Sequence, residues 1–452
     1  MSCKRMRQNV PSQGTKAWSC RFTFTDWTGS GLSGLFFLEF GLILEYNYFN
    51  VVKFFSVPVI LLVRKFENLY FERETKLMDT MIKETNQAKS KSKKGIEKRM
   101  LLTIAVVLIA LAMAPFLFRA IYRAILLSSH SISEPGIDLM ETVEIGGIQQ
   151  CLYFRGQDVD NPVILFLHGG PGSSEMEMLH TFQYDWEEDF TVVHWDQRQV
   201  GKTYLANDPE LVIETMSFER VLEDAWEVTQ YIQNKLGKDQ IVVLGHSWGS
   251  VLGTALVQTH PESFSAYIGV GQVINMVDNE RVGFEKTLEK AKEAGNDKDV
   301  AALEALMPYS AAEYSTDVYQ TIIKVRSYQM KYGLATGMNL ESVISAGLSP
   351  YYSLNELRTF FIDHGTIQHE LMKYLFAYDA HDFGIEYEIP VFYIIGENDY
   401  QTPIILSEAF FGEINAPVKQ FFTIPRAGHM TMTDNKTEFT RVLLEEIAPL
   451  IK

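Results

Sequence analysis

The sequence predicts an α/β fold in which a mostly parallel sheet is covered by helices on both faces. Short, continuous apolar runs, such as residues 161–170 and 190–196, have the pattern of strands that are buried on both faces. Amphipathic helical stretches such as residues 217–237 alternate with these runs, and this alternation is typical of parallel sheets. One long helical region, residues 276–384, interrupts the alternation before the sheet pattern resumes.

The composition fits a large folded domain and argues against a nucleic-acid-binding protein. The chain has 452 residues, of which 46% are hydrophobic, so it can bury a large core. Its formal net charge is −17 and no basic groove is indicated, so we expect no nucleic-acid partner. Three cysteines are too few for a disulfide framework, and no His/Cys cluster has metal-ligand spacing. We expect no metal site and no cofactor, and we expect Cys151 to be an inert apolar residue.

Residues 1–77 have an unusual sequence for a folded protein. Their apolar stretch, residues 34–63, contains charged residues that follow no helical stripe, and a membrane span there would bury these charges. Met78 begins a more ordinary sequence, and residues 72–74, Glu-Arg-Glu, can be encoded by a purine-rich ribosome-binding site. We interpret Met78 as the true start and residues 1–77 as translated leader, with a span within residues 34–63 as the alternative.

A basic segment, residues 78–100, precedes a stretch that can cross a membrane. Residues 101–118 are uncharged and mostly aliphatic, and residues up to 127 can lengthen this span. The many lysines before the span outweigh Arg119 and Arg123 after it. The positive-inside rule therefore predicts one transmembrane helix, residues 101–127, with the amino terminus in the cytoplasm and the rest of the chain outside.

A cleaved signal peptide is the alternative interpretation of the same stretch. Residues 112–114, Ala-Met-Ala, resemble the small-residue pattern of a cleavage site. The apolar run is longer than the core of most signal peptides, which favours the membrane helix. In both cases residues 128–140 form a linker to the folded domain.

The strands of the domain follow in order after the linker. Two runs separated by glycines predict an antiparallel hairpin at the sheet edge, and the later runs predict buried strands. The predicted strands are residues 141–147, 149–156, 161–170, 190–196, 241–247, 266–272, 389–399 and 418–430. Ser217 is the predicted N-cap of the long helix that ends at Gly237.

The helical region divides the domain into three parts. Residues 141–275 form the first part of the core, residues 276–384 the insertion, and residues 385–452 the second part of the core. A helical insertion between two late strands of such a sheet lies over the carboxyl ends of the strands, where ligands bind. We therefore interpret the insertion as a lid, and a peripheral helical decoration is the alternative.

A Gly-x-Ser-x-Gly turn joins a predicted buried strand to a predicted helix. In this turn, Gly-His-Ser-Trp-Gly at residues 245–249, a sharp strand-to-helix connection lifts Ser247 clear of the sheet. The two glycines are needed because neighbouring backbone presses close to a strained turn. This context predicts that Ser247 is a catalytic nucleophile.

A serine nucleophile needs a base to take its proton and an acid to orient the base. Asp399 and His429 each follow a predicted late strand, so both belong to the same sheet edge as Ser247. We predict His429 as the general base and Asp399 as its orienting acid. Glu397, in the same loop as Asp399, and Asp278, beyond the sixth strand, are the alternative acids.

The turn at residues 168–174, His-Gly-Gly-Pro-Gly-Ser-Ser, follows the strand that supplies one half of an oxyanion hole in such folds. Adjacent glycines let the backbone approach a substrate closely. We predict the backbone N–H groups of Gly170 and Trp248 as the oxyanion donors, with a tight turn of no function as the alternative. We also interpret Asp196 and Arg198 as a structural ion pair beside this site.

Taken together, these motifs resemble a known family. The segments HGGPGSS, DQRQVGKT, GHSWGS, GENDYQTP and AGHM, in this order, resemble the α/β-hydrolase superfamily and its proline iminopeptidase-like serine peptidases. The resemblance covers about residues 141–452 and implies the α/β-hydrolase fold with an inserted lid. His246 and Gln199 stand where familiar members have glycine. In that family, lid glutamates hold the free amino terminus of the substrate. The candidates in this lid include Glu304, Glu313, Glu341 and Glu356.

The predicted function follows from the motifs and the resemblance. We expect a membrane-anchored serine hydrolase that forms an acyl-enzyme, with a small peptide or ester as substrate. Within this class the resemblance favours a proline iminopeptidase-like aminopeptidase, and a carboxylesterase or lipase-like ester hydrolase is the alternative. A non-catalytic binding module on the same fold is a third interpretation, from another class.

Overall fold

The computed structural model describes residues 89–309, 312–336, 340–361 and 365–451. The proposed leader, residues 1–77, the apolar stretch at residues 34–63 and the first part of the basic segment lie outside these residues. The predictions made for them remain predictions.

The centre of the domain is one eight-stranded sheet with the order β1-β2-β4-β3-β5-β6-β7-β8. The first two strands form the predicted hairpin, β2 pairs antiparallel with β4, and the other neighbours are parallel. The strands are β1 (Ile137–Ile145), β2 (Ile148–Gly156), β3 (Val163–Leu167), β4 (Thr191–Asp196), β5 (Ile241–His246), β6 (Phe264–Val270), β7 (Val391–Gly396) and β8 (Lys419–Ile424). The predicted mostly parallel sheet is confirmed.

Strand β1 begins four residues earlier than the sequence pattern indicates. Ile137 pairs with Gly156, so the hairpin extends through residues that were predicted to be linker. Partly buried and exposed residues alternate along the whole of β1, as expected for an edge strand that is covered on one face. Residues 137–140 share this alternation, so they belong to the strand and not to the linker. By contrast, every residue of β3, β4, β5 and β7 is buried.

Helices cover both faces of the sheet. In chain order they are α1 (Lys89–Ser129), α2 (Gly201–Leu205), α3 (Pro209–Glu214), α4 (Phe218–Leu236), α5 (Trp248–Thr259), α6 (Met276–Glu293), α7 (Asp297–Glu304), α8 (Thr316–Lys331), α9 (Leu340–Leu348), α10 (Leu354–Leu357), α11 (Gly365–Ala377), α12 (Ile404–Glu413), α13 (Thr431–Asp434) and α14 (Lys436–Arg441). A π-helical turn, Val442–Ile447, continues the last of them.

The capping of α4 shows how local sequence sets these boundaries. The side chain of Ser217 accepts a hydrogen bond from the backbone N–H of Arg220, as expected of an N-cap. Gly237 ends the helix in a left-handed conformation with a φ of 64°. The predicted start and end of this helix are therefore confirmed.

The core lies in two layers, one on each face of the sheet. Successive side chains of a strand point to opposite faces, so Val243 of β5 belongs to one layer while Val242 and Leu244 belong to the other. Helices α4 and α5 contribute Val228 and Leu252 to the first layer. The sheet is thus held between two apolar layers, which fixes the ends of its strands.

Helices α6 to α11 separate β6 from β7. They correspond to the helical region that the sequence places at residues 276–384. Part of this region has a small apolar core of its own, built from Phe284, Ala291, Leu303 and Val325. The helical region therefore packs partly on itself, in addition to its contacts with the sheet domain.

Helix α1 contains the apolar stretch of the predicted membrane span. Within the described part of the chain, residues 98–129 form one helix that is long and apolar enough to cross a membrane, and its 18-residue apolar window has a mean hydropathy of 2.7. Its apolar side chains from Leu101 to Phe118 are exposed on all sides. This fits the predicted single transmembrane helix.

Candidate active site

Ser247 occupies a strained turn between β5 and α5. Its φ of 54° and ψ of −120° are unusual for a residue with a side chain. The backbone N–H of Ser247 donates to the carbonyl oxygen of Val270 at 2.9 Å, which ties the turn to β6. A Cβ added to Gly249 would lie 1.9 Å from the carbonyl oxygen of Leu167, and one added to Gly245 would also clash with backbone. The glycines of the motif thus allow the close packing that the turn requires.

Asp399 and His429 are in direct contact at the same edge of the sheet. The distance from His429 Nδ1 to Asp399 Oδ2 is 2.8 Å, and both side chains are buried. Asp399 Oδ1 also accepts hydrogen bonds from the backbone N–H groups of Gln401 and Thr402, both at 2.9 Å. Burial alone raises the pKa of a carboxyl group. Here the His429 ring and the hydrogen bonds from Thr402 outweigh burial and hold the pKa of Asp399 below its usual value.

The other ring nitrogen of His429 is available for proton transfer. His429 Nε2 is buried and makes no hydrogen bond to any described residue. Gly271, just after β6, leaves room for the ring: a Cβ there would lie 3.0 Å from His429 Cε1. Since Gly271 follows Val270, which holds the Ser247 backbone, the His429 ring packs close to the serine turn.

The two alternative acids are engaged elsewhere. Glu397 accepts a hydrogen bond from the backbone N–H of Arg426 at 2.9 Å and contributes to the turn after β8. Asp278 lies at the surface of α6, where it pairs with Arg281 at 2.9 Å. The geometry therefore favours Asp399 as the partner of His429.

The predicted oxyanion donors sit in suitable backbone settings. Gly170 is exposed and has a φ of +117°, and a Cβ there would lie 2.3 Å from the backbone nitrogen of Gly172. Trp248 is the first residue of α5, where backbone N–H groups lack a partner within the helix. Its indole is buried and donates to the Gln197 side chain at 3.1 Å. Gly170 thus lies in the turn after β3, and Trp248 directly follows Ser247 at the start of α5.

His246 links three loops of the candidate site, and the sequence did not reveal its partners. His246 Nδ1 lies 2.5 Å from Glu175 Oε1, and His246 Nε2 lies 3.0 Å from the carbonyl oxygen of His429. Both side chains are buried. Burial alone lowers the pKa of a histidine, but the Glu175 carboxylate outweighs this effect and raises the pKa of His246 above its usual value. These contacts direct the His246 ring toward Glu175 and the main chain of His429.

The comparisons with known proteins agree with this fold. The sequence model described as alpha/beta hydrolase fold matches residues 162–436, which is more than half of the chain. The chain belongs to the α/β-hydrolase fold family. The resemblance noted from its motifs is therefore confirmed.

Curated relatives place this hydrolase near peptidases. It is 27% identical over 310 residues to "Probable aminopeptidase YbaC" of Bacillus subtilis (strain 168), a match that covers 68% of this chain and 95% of the relative. It is 22% identical over 313 residues to a proline iminopeptidase of Lactobacillus delbrueckii subsp. bulgaricus, covering 66% of this chain and 94% of that one. Both matches support the proline iminopeptidase-like branch.

A solved structure shows the same fold at lower sequence similarity. The crystal structure titled "a membrane phospholipase A, a novel bacterial virulence factor" superimposes with a TM-score of 0.50 and 14% identity. The match covers 79% of this hydrolase and 99% of that chain. At this identity the likeness concerns the fold alone.

The predicted ion pair between Asp196 and Arg198 is wrong. Arg198 instead makes a two-pronged contact with Asp224 of α4, at 2.8 and 2.9 Å. Asp196 accepts from Ser174 Oγ at 2.7 Å and from the hydroxyl of Tyr352. Asp196 ends β4 while Arg198 lies in the turn beyond it, so the two side chains reach different neighbours.

None of the four glutamates named from the resemblance is buried. Glu304, Glu313 and Glu341 are exposed, and Glu356 pairs with Lys202 at 2.7 Å. Within the described part of the helical insertion, Glu280 of α6 is a buried glutamate that the sequence did not single out. It pairs with Arg326 at 2.5 Å and accepts a hydrogen bond from Tyr309. Its charge is therefore already matched by a protein cation.

Cys151 is buried in β2, and burial raises the pKa of its thiol well above the usual range, which keeps it protonated. Across the segments that the structure describes, no group of three or more His, Cys, Asp or Glu side chains is placed to hold a metal ion. The prediction that no cofactor is needed stays a prediction.

Proposed function

We propose that the protein is a membrane-anchored serine hydrolase that works through an acyl-enzyme. Ser247 is the nucleophile, His429 the general base and Asp399 its orienting acid. The observation that carries this proposal is the 2.8 Å contact between His429 and Asp399, which leaves His429 Nε2 without a partner among the described residues, beside the strained Ser247 turn.

The proton path follows from the two nitrogens of His429. With Nδ1–H donating to Asp399, Nε2 is the acceptor that takes the hydroxyl proton of Ser247 as its oxygen attacks the substrate carbonyl. Asp399 stabilises the charged ring that results. His429 then returns the proton to the leaving group, and a water molecule repeats the sequence to release the acyl group.

The negative charge on the substrate oxygen needs donors at the moment of attack. We propose the backbone N–H groups of Gly170 and Trp248 for this role. They lie in the turn after β3 and at the start of α5, where Trp248 directly follows Ser247. Loss of one such donor typically costs about 100- to 1,000-fold in rate.

The substrate we propose is a peptide with a free amino terminus, cleaved in the manner of a proline iminopeptidase. The names of the two relatives support this proposal. Ester hydrolysis is the second candidate. It is favoured by one observation: the four lid glutamates named from the resemblance are either exposed or paired, so none offers a buried carboxylate to an ammonium group.

Helix α1 is the proposed membrane anchor. Its apolar, exposed stretch supports a single span, and the basic residues before it support a cytoplasmic amino terminus with the catalytic domain outside. A cleaved signal peptide remains the alternative. Flotation of the native protein with membranes, together with mass spectrometry of its amino terminus, distinguishes the two.

A fluorophosphonate probe and a substrate panel test the catalytic proposal. The probe should label the purified full-length protein, and Ser247→Ala should abolish the label. Absence of labelling in the unmodified protein would favour the non-catalytic binding module. The panel compares aminoacyl amides, proline amides included, with short and long acyl esters. Turnover of esters alone would overturn the peptidase proposal while leaving the serine hydrolase intact.

A further inference from the structure

The end of α1 packs against the hydrolase domain through one face. Its partly buried residues recur every three or four positions, as they do on the covered side of a helix. They are Arg119, Tyr122, Arg123, Leu126 and His130. Ile121 and Ile125, on the other side, are exposed.

The last turn of α1 and the residue after it lie near the start of β4. The carbonyl oxygen of His130 accepts a hydrogen bond from the Arg155 guanidinium, and the His130 ring stacks on Tyr184 with 3.8 Å between centroids. Arg155 is paired in register with Val192, the second residue of β4. This end of the helix is therefore at the amino-terminal edge of the parallel strands.

Arg119 lies at the opposite edge of the sheet. Its Nη2 donates to the carbonyl oxygen of Tyr352 at 2.7 Å, and the hydroxyl of Tyr352 bonds to Asp196, the last residue of β4. The eleven residue steps from Arg119 to His130, the residue after the helix, span about 16 Å. The four residue steps from Val192 to Asp196 span about 13 Å, so this part of α1 runs alongside β4 and antiparallel to it.

The direction of α1 decides where a membrane would lie. Residues 101–118 precede Arg119 and continue beyond the carboxyl edge of the sheet. Ser247, Asp399 and His429 follow the carboxyl ends of β5, β7 and β8, at this same edge. If residues 101–118 cross a bilayer, the candidate active-site edge faces its surface.

Lid helix α9 presents an apolar face next to this point. Arg119 Nε donates to the carbonyl oxygen of Gly347, near the end of α9, at 2.6 Å. Leu340, Val343 and Ile344, at positions i, i+3 and i+4, are 38%, 37% and 46% exposed. Arg123 donates to the carbonyl of Pro350 in the turn that follows α9. Arg119 and Arg123 thus hold the carboxyl end of α9 next to the end of the apolar stretch at residues 101–118.

We propose that the bilayer surface covers the apolar face of α9, so that the lid lies on the membrane. The inference rests on the proposed membrane anchor. Amphipathic helices can lie in the plane of the membrane surface, with their apolar side chains inserted about 5–10 Å into the boundary between headgroups and acyl chains. Arg119 and Arg123 have long side chains that suit the same boundary, because their charged ends reach polar groups while their stems pack on apolar surface.

Fluorescence quenching in liposomes tests the contact. The full-length protein, with Cys3→Ser and Cys20→Ser, carries an environment-sensitive fluorophore on Ile344→Cys and is reconstituted into phosphatidylcholine and phosphatidylglycerol vesicles. Cys151 is buried and stays unlabelled. Lipids with a quencher on the acyl chain should lower the emission about two-fold or more, as expected for an inserted side chain.

The matched control is the same label on Leu450→Cys. Leu450 is 37% exposed, and the next residue, Ile451, lines the same cavity as Val163, the first residue of β3, at the amino-terminal edge of the sheet. Lipid-borne quencher should leave its emission nearly unchanged. Equal weak quenching at residues 344 and 450, in protein that floats with the vesicles, overturns the lid contact and leaves the anchor intact.

Two other outcomes are also decisive. Protein that does not float with the vesicles rejects the anchor and the lid contact together. A change in emission at residue 344 that depends on protein density, without any effect of lipid-borne quencher, shows a second copy on this face and overturns the proposal. Labelling of Ser247 by a fluorophosphonate, measured on the same samples, reports the hydrolase proposal separately.

Discussion

His246 Nε2 lies 3.0 Å from the main-chain carbonyl oxygen of His429. The residue before the candidate nucleophile therefore holds the loop of the candidate base. Through Nδ1, His246 also contacts Glu175, which follows the turn of the proposed oxyanion donor Gly170. One buried side chain thus joins three loops whose mutual positions would set the geometry of proton transfer from Ser247 in the proposed mechanism.

We expect His246→Gln to lower kcat about 10- to 100-fold with little change in KM, because a small displacement of His429 weakens proton transfer more than binding. His260→Gln is the control, since His260 lies outside the site and stacks on Trp226. Steady-state kinetics on the best substrate of the panel measure both variants. Equal kcat in His246→Gln and the unmodified protein would show that the contact does not position the base.

The raised pKa of His246 also predicts how stability depends on pH. The fold favours the protonated ring, so its contribution to the free energy of unfolding is complete below the unfolded pKa of about 6.5. The contribution is lost as pH rises through the raised pKa of the folded state. Tm measured from pH 5 to 9 should therefore fall more steeply with pH for the unmodified protein than for His246→Gln. Parallel curves would contradict this assignment.

Asp399→Asn tests whether Asp399, and not Asp278, is the acid that orients His429. An amide cannot hold His429 in the tautomer that leaves Nε2 free, so we expect kcat to fall about 10⁴-fold. Asp278→Asn should keep normal kcat, because Asp278 pairs with Arg281 at the surface. If Asp278→Asn lost a comparable amount of activity while Asp399→Asn kept its activity, the orienting acid would be Asp278, beyond the end of β6.

Local signals in the sequence were enough to predict the sheet and to single out three candidate residues, whose catalytic role stays a prediction. Ser247, Asp399 and His429 each follow a recognisable strand, and parallel strands bring their carboxyl ends to one edge. The partners of His246 and Arg198 were not predictable in this way. Glu175 lies 71 residues from His246, and Asp224 lies 26 residues from Arg198, so each pairing depends on how loops and helices pack. Sequence adjacency instead suggested the incorrect pair of Asp196 and Arg198.

Gly271→Ala tests whether the space beside His429 matters for activity. Gly271 has a φ of +53°, and the added Cβ would lie 3.0 Å from His429 Cε1. We expect a stability loss of about 1–2 kcal/mol from the left-handed backbone and a fall of about 10-fold or more in kcat. Chemical denaturation and kinetics measure the two effects.

Gly237→Ala is the matched control for this prediction. Gly237 has a similar φ of +64°, but no atom of the described residues lies within 4 Å of an added Cβ. It should lose a comparable amount of stability and keep its kcat. If both variants lost activity equally, the effect would come from general destabilisation and the role of Gly271 would be rejected.

The contact between Arg198 and Asp224 predicts a large stability effect away from the chemistry. Both side chains are fully buried, so Asp224→Ala leaves an unpaired cation in the interior and should cost about 3–5 kcal/mol of unfolding free energy. Asp278→Ala breaks the exposed pair with Arg281 and should cost less than about 1 kcal/mol.

The double variant Arg198→Met/Asp224→Leu separates the two causes of this loss. It removes both charges, so stability should recover by more than half relative to Asp224→Ala if the unpaired guanidinium is the main cost. Urea denaturation of the unmodified protein, Asp224→Ala, Asp278→Ala and the double variant measures these differences. A double variant as unstable as Asp224→Ala would show that the packing of α4 against the turn after β4, and not the buried charge, sets the stability here.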